Sequence, residues 1–288
     1  MSADDFDRDR FLRAYDKVIA RWPPGRRALE VDTPFGTTYV HVVGPRDAPP
    51  LVLLPGGRAT AASWFAQAGE LGKTHRVYAP DLIGDPGRST VRAERPVRAV
   101  ADLTAWLDAL FAGLGVARTA LAGHSYGAWT ALHYALHAPA RVSGLALLDP
   151  TQCFAGFRPA YLLRALPMLL RPTPRRVRAF LEWETGGARL DPDWLGLQEA
   201  AAGFPAARPV TGPRPAPEAL RALDPPVLLL LAGNSRAHDA ARVAARAGAV
   251  LPRGETAVLP GVSHHALPHA APPELTHRLV GFLGGGAR

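Results

Sequence analysis

The pentapeptide Gly123-His124-Ser125-Tyr126-Gly127 contains the residue types that point most directly to chemistry. An apolar stretch precedes it, and a segment rich in Ala, Leu and aromatic residues follows it. In such a strand–turn–helix context a G-x-S-x-G motif makes a turn so sharp that side chains at the two glycine positions would collide with neighbouring elements. A chance match in a chain with 28 glycines is the alternative, and the flanking context disfavours it. We therefore predict that Ser125 is a nucleophile at the carboxyl edge of a sheet.

A serine hydroxyl becomes an effective nucleophile only when an imidazole takes its proton, and the imidazole needs a carboxylate that fixes its tautomer. The chain has 10 histidines. His264 follows an apolar stretch and the turn Pro260-Gly261, which predicts a position in a loop directly after a strand. We predict His264 as the general base. The adjacent His265 is the alternative, and otherwise it lines the pocket or packs.

The elements that must position these residues follow from the periodicity of the apolar side chains. Short unbroken apolar stretches alternate with segments of helical spacing, which indicates a parallel sheet covered by helices on both faces. Two β-rich stretches that flank Pro34-Phe35-Gly36 predict an antiparallel pair. The predicted strands are 28–33, 37–43, 51–54, 77–79, 119–122, 145–148, 227–231 and 256–259, and the predicted core helices are 62–71, 97–114, 126–137, 238–249 and 272–283.

One connection does not fit this alternation. More than 70 residues separate the predicted strands at 145–148 and 227–231, far above the usual loop length. Helical patterns occur within it at 160–170 and 175–184, between several prolines. We predict a small helical cap over residues 151–225.

The rest of the chain then forms one core domain with a separate N-terminal element. The α/β core is predicted over residues 25–150 and 226–288. Residues 6–21 have apolar side chains near helical spacing. Residues 1–24 are therefore predicted as an amphipathic helical segment that docks on the body or lies over a site entrance.

These motifs together resemble those of the α/β-hydrolase superfamily, and the likeness extends over residues 35–283. Residues 51–57 look like the family's strand and oxyanion loop, with Pro55 where histidine is usual. Residues 81–89 are similar to its D-x-x-G-x-G-x-S turn, and 259–264 look like its last strand and catalytic histidine. The resemblance implies an eight-stranded, mostly parallel sheet with a variable cap after the sixth strand, where the long connection lies.

The motif also implies an oxyanion hole made of two backbone N–H groups. One belongs to the residue after the nucleophile, Tyr126, and the other, on the loop after the third strand, is predicted at Gly57. A glycine pair, Gly56-Gly57, lets a substrate oxygen approach the main chain closely, although a simple tight turn is the alternative. Pro55 removes one backbone donor from this loop.

The triad acid has two candidates. In most relatives it follows the seventh strand a few residues after a glycine, but the third position after Gly233 is Arg236. Asp149 ends the sixth strand, where some members of the superfamily, including certain haloalkane dehalogenases, carry the acid. Asp239 lies in the usual loop but three residues late. We predict Asp149 as the triad acid, with Asp239 as the alternative. If Asp149 has no catalytic role, it caps or braces the cap entrance. If Asp239 has none, it is an N-terminal helix residue favoured by the helix dipole.

Composition restricts the classes of function. The net charge is +8, but all but two of the 33 basic residues are scattered arginines, so no nucleic-acid partner is expected. Cys153 is the only cysteine, which predicts a fold without disulfides and a cytoplasmic location. The N-terminal residues do not read as a signal peptide, and no apolar stretch has the length of a membrane span. We expect no membrane partner, no metal and no cofactor, and a monomer or homodimer that binds a small molecule.

The predicted function is a carboxylesterase-like serine hydrolase that works through an acyl-enzyme on an ester or thioester. A serine nucleophile argues against dehalogenases and epoxide hydrolases of this fold, which attack with aspartate. Non-hydrolytic enzymes, such as C–C lyases or cofactor-free tailoring enzymes, and a catalytically idle ligand-binding protein are the alternatives. The apolar residues of the predicted cap indicate a small, fairly apolar substrate. The alternative is that these residues only pack the cap against the core domain. They are Phe154, Phe157, Tyr161, Leu162, Leu166, Met168 and Leu169.

Overall fold

A computed structural model describes residues 6–270 and 273–285. The strands are β1 Arg27–Thr33, β2 Gly36–Val43, β3 Pro50–Leu54, β4 Arg76–Pro80, β5 Thr90–Val91, β6 Thr119–His124, β7 Val142–Leu148, β8 Val227–Ala232 and β9 Gly254–Leu259. The α-helices are α1 Arg8–Ile19, α2 Ala68–Leu71, α3 Val100–Gly113, α4 Tyr126–His137, α5 Pro159–Leu170, α6 Pro174–Glu184, α7 Pro192–Ala200, α8 Pro217–Arg221, α9 Ala240–Val250, α10 Leu267–Ala270 and α11 Pro273–Gly285. Short 3₁₀ helices occupy Ala61–Trp64 and Pro139–Arg141.

All nine strands belong to one sheet, in the order β1-β2-β4-β3-β6-β7-β8-β9, with β5 beside β2. The pairs from β4 to β9 along this order are parallel, whereas β2 pairs antiparallel with β1, β4 and β5. The mostly parallel sheet predicted from the sequence is therefore confirmed. It has nine strands rather than eight because of β5, whose two residues are too few to show an apolar pattern.

The core lies on both faces of this sheet, because alternate residues of a strand point to opposite sides. Leu51 and Leu53 of β3 pack on the face covered by α1, α2, α11 and helices of the segment between β7 and β8. Val52 and Leu54 pack on the other face, against α3, α4 and α9. Every residue of β6 and β8 is buried, which explains their mostly apolar sequences.

Four helices, α5 to α8, lie in the long connection between β7 and β8. Each has a proline in its first turn, where the missing N–H would have no helical partner anyway. The sequence patterns at 160–170 and 175–184 correspond to α5 and α6, whereas α7 and α8 were not predicted. Of the prolines in this connection, Pro159, Pro174 and Pro192 mark helix starts, whereas Pro167 lies inside α5.

The predicted N-terminal helix is α1, within the described part of residues 1–24. Asp7 begins it, and its carboxylate accepts a hydrogen bond of 2.8 Å from the Arg10 N–H. Its buried side is held by a polar contact as well as apolar packing, since the Tyr15 hydroxyl donates to Asp81 Oδ2 at 3.0 Å. The helix also contacts α7 of the long connection. Residues 1–5 lie outside the described residues.

Several helix ends differ from the sequence predictions. The segment 62–71 is divided between a 3₁₀ helix and the four-residue α2, and α9 begins at Ala240 rather than 238 because Asp239 caps it. The helix predicted at 272–283 is α11, which is described from Pro273 onward; residues 272 and 286–288 lie outside the description. Among the described residues, no helix has both the length and the apolar character needed to cross a membrane.

Candidate active site

Ser125 lies in a strained turn between β6 and α4. Its φ of 54° is in the left-handed region that side chains seldom adopt. The flanking glycines are needed for close approach: a Cβ on Gly123 would lie 2.5 Å from the Gly127 backbone, and a Cβ on Gly127 would lie 2.3 Å from the carbonyl oxygens of Leu54 and Pro55. The turn therefore accepts only glycine at these two positions and holds the serine at the strand end.

His264, in the loop after β9, contacts both other members of the predicted triad. Its Nε2 lies 2.9 Å from Ser125 Oγ, and its Nδ1 lies 2.6 Å from Asp149 Oδ2. The imidazole and the carboxylate are buried, whereas Ser125 is half-buried. The structure thus brings the three residues into one hydrogen-bonded line whose serine end is the accessible one.

Asp149 directly follows β7 and is surrounded by hydrogen-bond donors. Oδ1 accepts from the Ala232 N–H at 3.0 Å and faces His238 Nε2 at 2.9 Å, while Oδ2 accepts from the Ser235 hydroxyl at 2.9 Å as well as facing His264 Nδ1. Its side chain is 0% exposed, so these four donors replace the water that an exposed carboxylate would bind. The end of β8 and the residues between β8 and α9 therefore surround the Asp149 carboxylate.

The charge on Asp149 determines the direction of the hydrogen bonds. Burial alone would raise the pKa of this carboxyl, but hydrogen bonds from His238 and His264 outweigh burial and hold the pKa well below its usual value. The ionised carboxylate can only accept, so the Nδ1 of His264 carries a proton. Nε2 is then the free acceptor for the hydroxyl proton of Ser125, as a general base requires.

The pKa of the His264 imidazole is raised. Burial lowers it, but the hydrogen bond and charge of Asp149, together with the charge of Glu184, outweigh burial and bring the pKa above the usual histidine value. The imidazole is thereby prepared to hold the positive charge that arises when it takes a proton.

The alternative acid is not brought to the imidazole. Asp239 caps α9, where its carboxylate accepts from the Arg242 N–H at 3.0 Å and pairs with Arg158 at 3.2 Å. Its side chain is half exposed. Arg236, at the usual acid position, stacks its guanidinium over Trp183 at 4.8 Å.

His265, the alternative base, is directed toward a different partner. Its Nε2 lies 3.0 Å from the Tyr161 hydroxyl of α5. Burial, with a smaller effect from the charge of His264, lowers the pKa of His265 to about 4, so the ring is neutral at neutral pH. This ring joins the long connection to the His264 loop.

Glu184, at the end of α6, is a functional candidate that the sequence did not reveal. Its side chain is 1% exposed, and its two oxygens accept from the backbone N–H groups of His264 and His265, each at 3.1 Å. Burial opposes its ionisation, but nearby His265 and His264 outweigh burial and lower its pKa. From the other side, His124 Nε2–H donates to the His264 carbonyl at 2.9 Å. The backbone of His264 is thus held by hydrogen bonds to its N–H and to its carbonyl.

Neither Glu184 nor His238 carries a local sequence signal. Glu184 is only the last residue of a helical pattern, and its partners are 80 residues away. His238 lies in residues 233–239, the segment where most relatives carry the triad acid. Because Asp149 ends the neighbouring strand, this segment is also where donors to its carboxylate are expected, and His238 is one of them.

The two predicted oxyanion donors lie close to each other. A Cβ on Gly57 would be 3.3 Å from the Tyr126 Cβ. Across the described residues, neither the Gly57 N–H nor the Tyr126 N–H is paired with a protein acceptor. Since Tyr126 is the first residue of α4, its N–H belongs to the group at a helix start that lacks a helical partner.

A parallel sheet with a strained serine turn, and a histidine and an aspartate after later strands, is the architecture of the α/β hydrolases. A family model described as the alpha/beta hydrolase family matches residues 51–278. The chain therefore belongs to the α/β hydrolase family.

Individual relatives match over nearly the whole chain. Carboxylesterase YbfK of Bacillus subtilis is 28% identical over 97% of this chain and 95% of its own length. The crystal structure of carboxylesterase CesB (YbfK) from that species has a TM-score of 0.89 and 27% identity, covering 96% of this chain and 98% of the other. The crystal structure of the naproxen esterase of B. subtilis has a TM-score of 0.88 and 27% identity, with 95% and 97% covered.

Proposed function

We propose that this protein hydrolyses carboxylic esters by an acyl-enzyme mechanism, with Ser125 as nucleophile, His264 as general base and Asp149 as the acid of the triad. The observation that carries the proposal is the unbroken line Ser125 Oγ to His264 Nε2, at 2.9 Å, and His264 Nδ1 to Asp149 Oδ2, at 2.6 Å. The carboxylesterase names of the relatives that match over most of the chain support the same reaction.

In the acylation half-reaction, the Ser125 oxygen attacks the ester carbonyl as its proton passes to His264 Nε2. The imidazolium that forms is stabilised by the Asp149 carboxylate. The N–H groups of Gly57 and Tyr126 bind the negative carbonyl oxygen of the tetrahedral intermediate. His264 then returns the proton to the leaving alcohol, which departs and leaves the acyl group on Ser125.

In the deacylation half-reaction, water takes the place of the alcohol. His264 removes a proton from the water, the resulting hydroxide attacks the acyl carbonyl, and the proton finally returns to the Ser125 oxygen. The donors around Asp149 keep the carboxylate in place through both half-reactions. The carboxylic acid product then departs, and the three side chains of the site are again in their starting protonation states.

We propose a small, fairly apolar substrate. The Tyr161 ring centroid lies 5.5 Å from that of Phe157 and 5.3 Å from that of Phe180, and it is 6.4 Å from the His264 ring. We call these three aromatic residues, Phe157, Tyr161 and Phe180, the aromatic cluster. This cluster supports an apolar acyl or alcohol group beside the nucleophile. The three leucines that the sequence analysis named for the same purpose, Leu162, Leu166 and Leu169, are exposed to solvent instead.

A chromogenic ester series tests the proposal. Wild-type protein is expected to release p-nitrophenol from p-nitrophenyl acetate, butyrate and octanoate, with an initial burst proportional to enzyme where deacylation is slow. Ser125→Ala is expected to lose on the order of 10³-fold or more in turnover. Ser143→Ala, which changes a half-buried serine of β7, is the matched control and is expected to keep full activity.

Equal turnover by wild type and Ser125→Ala would refute the proposed nucleophile. Binding of the esters by wild type without release of product would favour the idle ligand-binding alternative. Turnover of β-diketones without turnover of any ester would favour a C–C bond-cleaving enzyme of the same fold.

A further inference from the structure

Helix α5 exposes an unusual number of leucines. Of its 12 residues only Tyr161 and Ala165 are buried, so the helix lies on the surface with most of its circumference in solvent. We call the exposed set the leucine face; its members and their exposed fractions are Leu162 47%, Leu163 70%, Leu166 46%, Leu169 60% and Leu170 76%.

The leucine face is the place where large exposed apolar side chains cluster. Among the described residues, the other large apolar side chains with comparable exposure are Leu29, Val91 and Val258, each on a different strand. Isolated exposed apolar residues are normal in folded proteins, whereas a contiguous apolar patch marks a binding surface. The leucine face therefore has the character of a binding surface.

The charge around the leucine face indicates what kind of occupant it binds. Residues 151–181 contain six arginines and no aspartate or glutamate, and thus supply six of the eight net positive charges of the chain. Two of the six pair with carboxylates, Arg158 with Asp239 and Arg178 with Glu182 and Glu199. The basic surround of the leucine face is therefore formed by the four others, which lie in or next to α5 and α6: Arg164, Arg171, Arg175 and Arg176. An apolar surface with a basic surround is complementary to an anionic amphiphile surface, in which acidic head groups cover an apolar interior.

We propose that the leucine face docks this protein on the surface of an anionic phospholipid bilayer. The leucines enter the boundary between head groups and acyl chains, and the arginines remain at the level of the lipid phosphates. A second copy of the chain fits less well, because two identical basic faces would repel each other. From the sequence we expected no membrane partner because no stretch had the length of a span; surface docking does not need that length.

Docking would also place the candidate active site near the lipid. The buried side of α5 carries Tyr161, whose hydroxyl lies 3.0 Å from His265 Nε2 beside the catalytic histidine. One helix thus has the proposed lipid surface on its outside and the site on its inside. The docking proposal does not depend on ester hydrolysis, since none of the leucines contributes to the triad.

Vesicle co-sedimentation tests the proposal with the full chain. Wild type is expected to bind vesicles of phosphatidylcholine with phosphatidylglycerol, to bind pure phosphatidylcholine vesicles more weakly, and to bind anionic vesicles less well as salt increases. Leu163→Ser/Leu170→Ser is expected to weaken binding to anionic vesicles roughly tenfold or more. Leu29→Ser/Val91→Ser, which changes two exposed apolar residues on β1 and β5, is the matched control and is expected to bind as wild type.

Two further variants separate the roles of charge and of catalysis in vesicle binding. Arg171→Gln/Arg175→Gln leaves the leucines intact and is expected to reduce the preference for anionic over neutral vesicles. Ser125→Ala is expected to bind vesicles as wild type does, so a failure of the esterase proposal leaves this result unchanged. Turnover of water-soluble p-nitrophenyl acetate by Leu163→Ser/Leu170→Ser is expected to equal that of wild type.

Three results would overturn the proposal. The first is no binding of wild type to anionic vesicles, and the second is equal binding to anionic and neutral vesicles. The third is a wild-type dimer in analytical ultracentrifugation that Leu163→Ser/Leu170→Ser converts to a monomer, which would assign the leucine face to contact between copies of the chain.

Discussion

The protonation of the proposed base is controlled by two carboxylates rather than one. Asp149 touches the His264 imidazole directly, whereas Glu184 binds the backbone N–H of the same residue and acts on the ring through its charge. Both favour the protonated imidazole, so the pKa of His264 lies above the usual value. Since only the neutral imidazole can accept the serine proton, activity should rise with pH through a midpoint above that value.

The pH profile of Glu184→Gln follows from this arrangement. Removing the charge of Glu184 lowers the pKa of His264, so the acidic limb of the kcat/KM profile is expected to move to lower pH relative to wild type. Hydrolysis of a soluble p-nitrophenyl ester between pH 4 and 9 measures the shift. Glu182→Gln, which removes an exposed carboxylate from the same helix, is the control and should leave the limb in place. A limb at the wild-type pH in Glu184→Gln would refute this role.

The identity of the triad acid is tested by a pair of isosteric substitutions. Asp149→Asn keeps the shape but no longer fixes the tautomer of His264, and kcat is expected to fall on the order of 10³- to 10⁴-fold. Asp239→Asn should retain both activity and stability, because asparagine caps a helix about as well as aspartate. Steady-state kinetics, with circular dichroism to verify folding, measures both variants. A larger loss in Asp239→Asn would move the acid to the loop after β8.

At this scale the sequence predicted residues with strong local patterns. Ser125 is flanked by glycines that the turn needs, and His264 follows a strand and a turn, so both were candidates from their own neighbourhoods. Glu184 and His238 were not candidates, because they contact His264 and Asp149 across 80 or more residues of the chain. A buried carboxylate needs donors wherever the fold can supply them, and no short motif records which residues these are.

At the scale of elements, the glycine positions of the serine turn constrain β3, β6 and α4 together. A Cβ on Gly127 would meet carbonyl oxygens at the end of β3, whereas a Cβ on Gly248, in α9, would meet nothing within 4 Å. Both glycines lie in helices. Comparing an alanine substitution at each therefore separates the effect of the close backbone contact at Gly127 from the effect of helix propensity, which the two positions share.

Gly127→Ala and Gly248→Ala should therefore have opposite effects on stability. Gly127→Ala is expected to lower the free energy of unfolding by about 1–3 kcal/mol or more, because backbone must move to admit the methyl group. Gly248→Ala is expected to raise it by up to about 1 kcal/mol through helix propensity. Urea unfolding followed by circular dichroism gives both values. Equal stability of Gly127→Ala and wild type would show that the elbow tolerates a side chain.

The elements most visible in the sequence were those buried on both sides. The central strands β6, β7 and β8 have mostly apolar sequences because helices cover both faces of the sheet. Short elements contain too few residues to show a periodicity of apolar side chains: β5 has two residues and α8 has five. Helix boundaries also depend on capping by single side chains, as at Asp239, which periodicity does not detect.

At the scale of the whole molecule, the candidate site is assembled from distant parts of the chain. The strand ends of the core supply Ser125, Asp149 and His264, and the helices between β7 and β8 supply Glu184 and Tyr161 around the His264 loop. The N-terminal helix α1 packs on α7 of the same connection. Two partly exposed ion pairs join α1 or its end to α7 or its cap, Lys17 with Asp193 and Arg21 with Asp191. Each contributes at most about 1 kcal/mol, so the apolar cluster that both helices share is the main contact.

The central claim is that Ser125 is a nucleophile activated by His264, and covalent labelling tests it most directly. A fluorophosphonate probe reacts with an activated serine without requiring knowledge of the substrate. We predict that mass spectrometry of the digested wild-type protein will find the phosphonyl adduct on Ser125, and that His264→Ala will prevent labelling while His265→Ala retains most of it. An adduct on another residue, or no adduct on folded wild-type protein, would contradict the account.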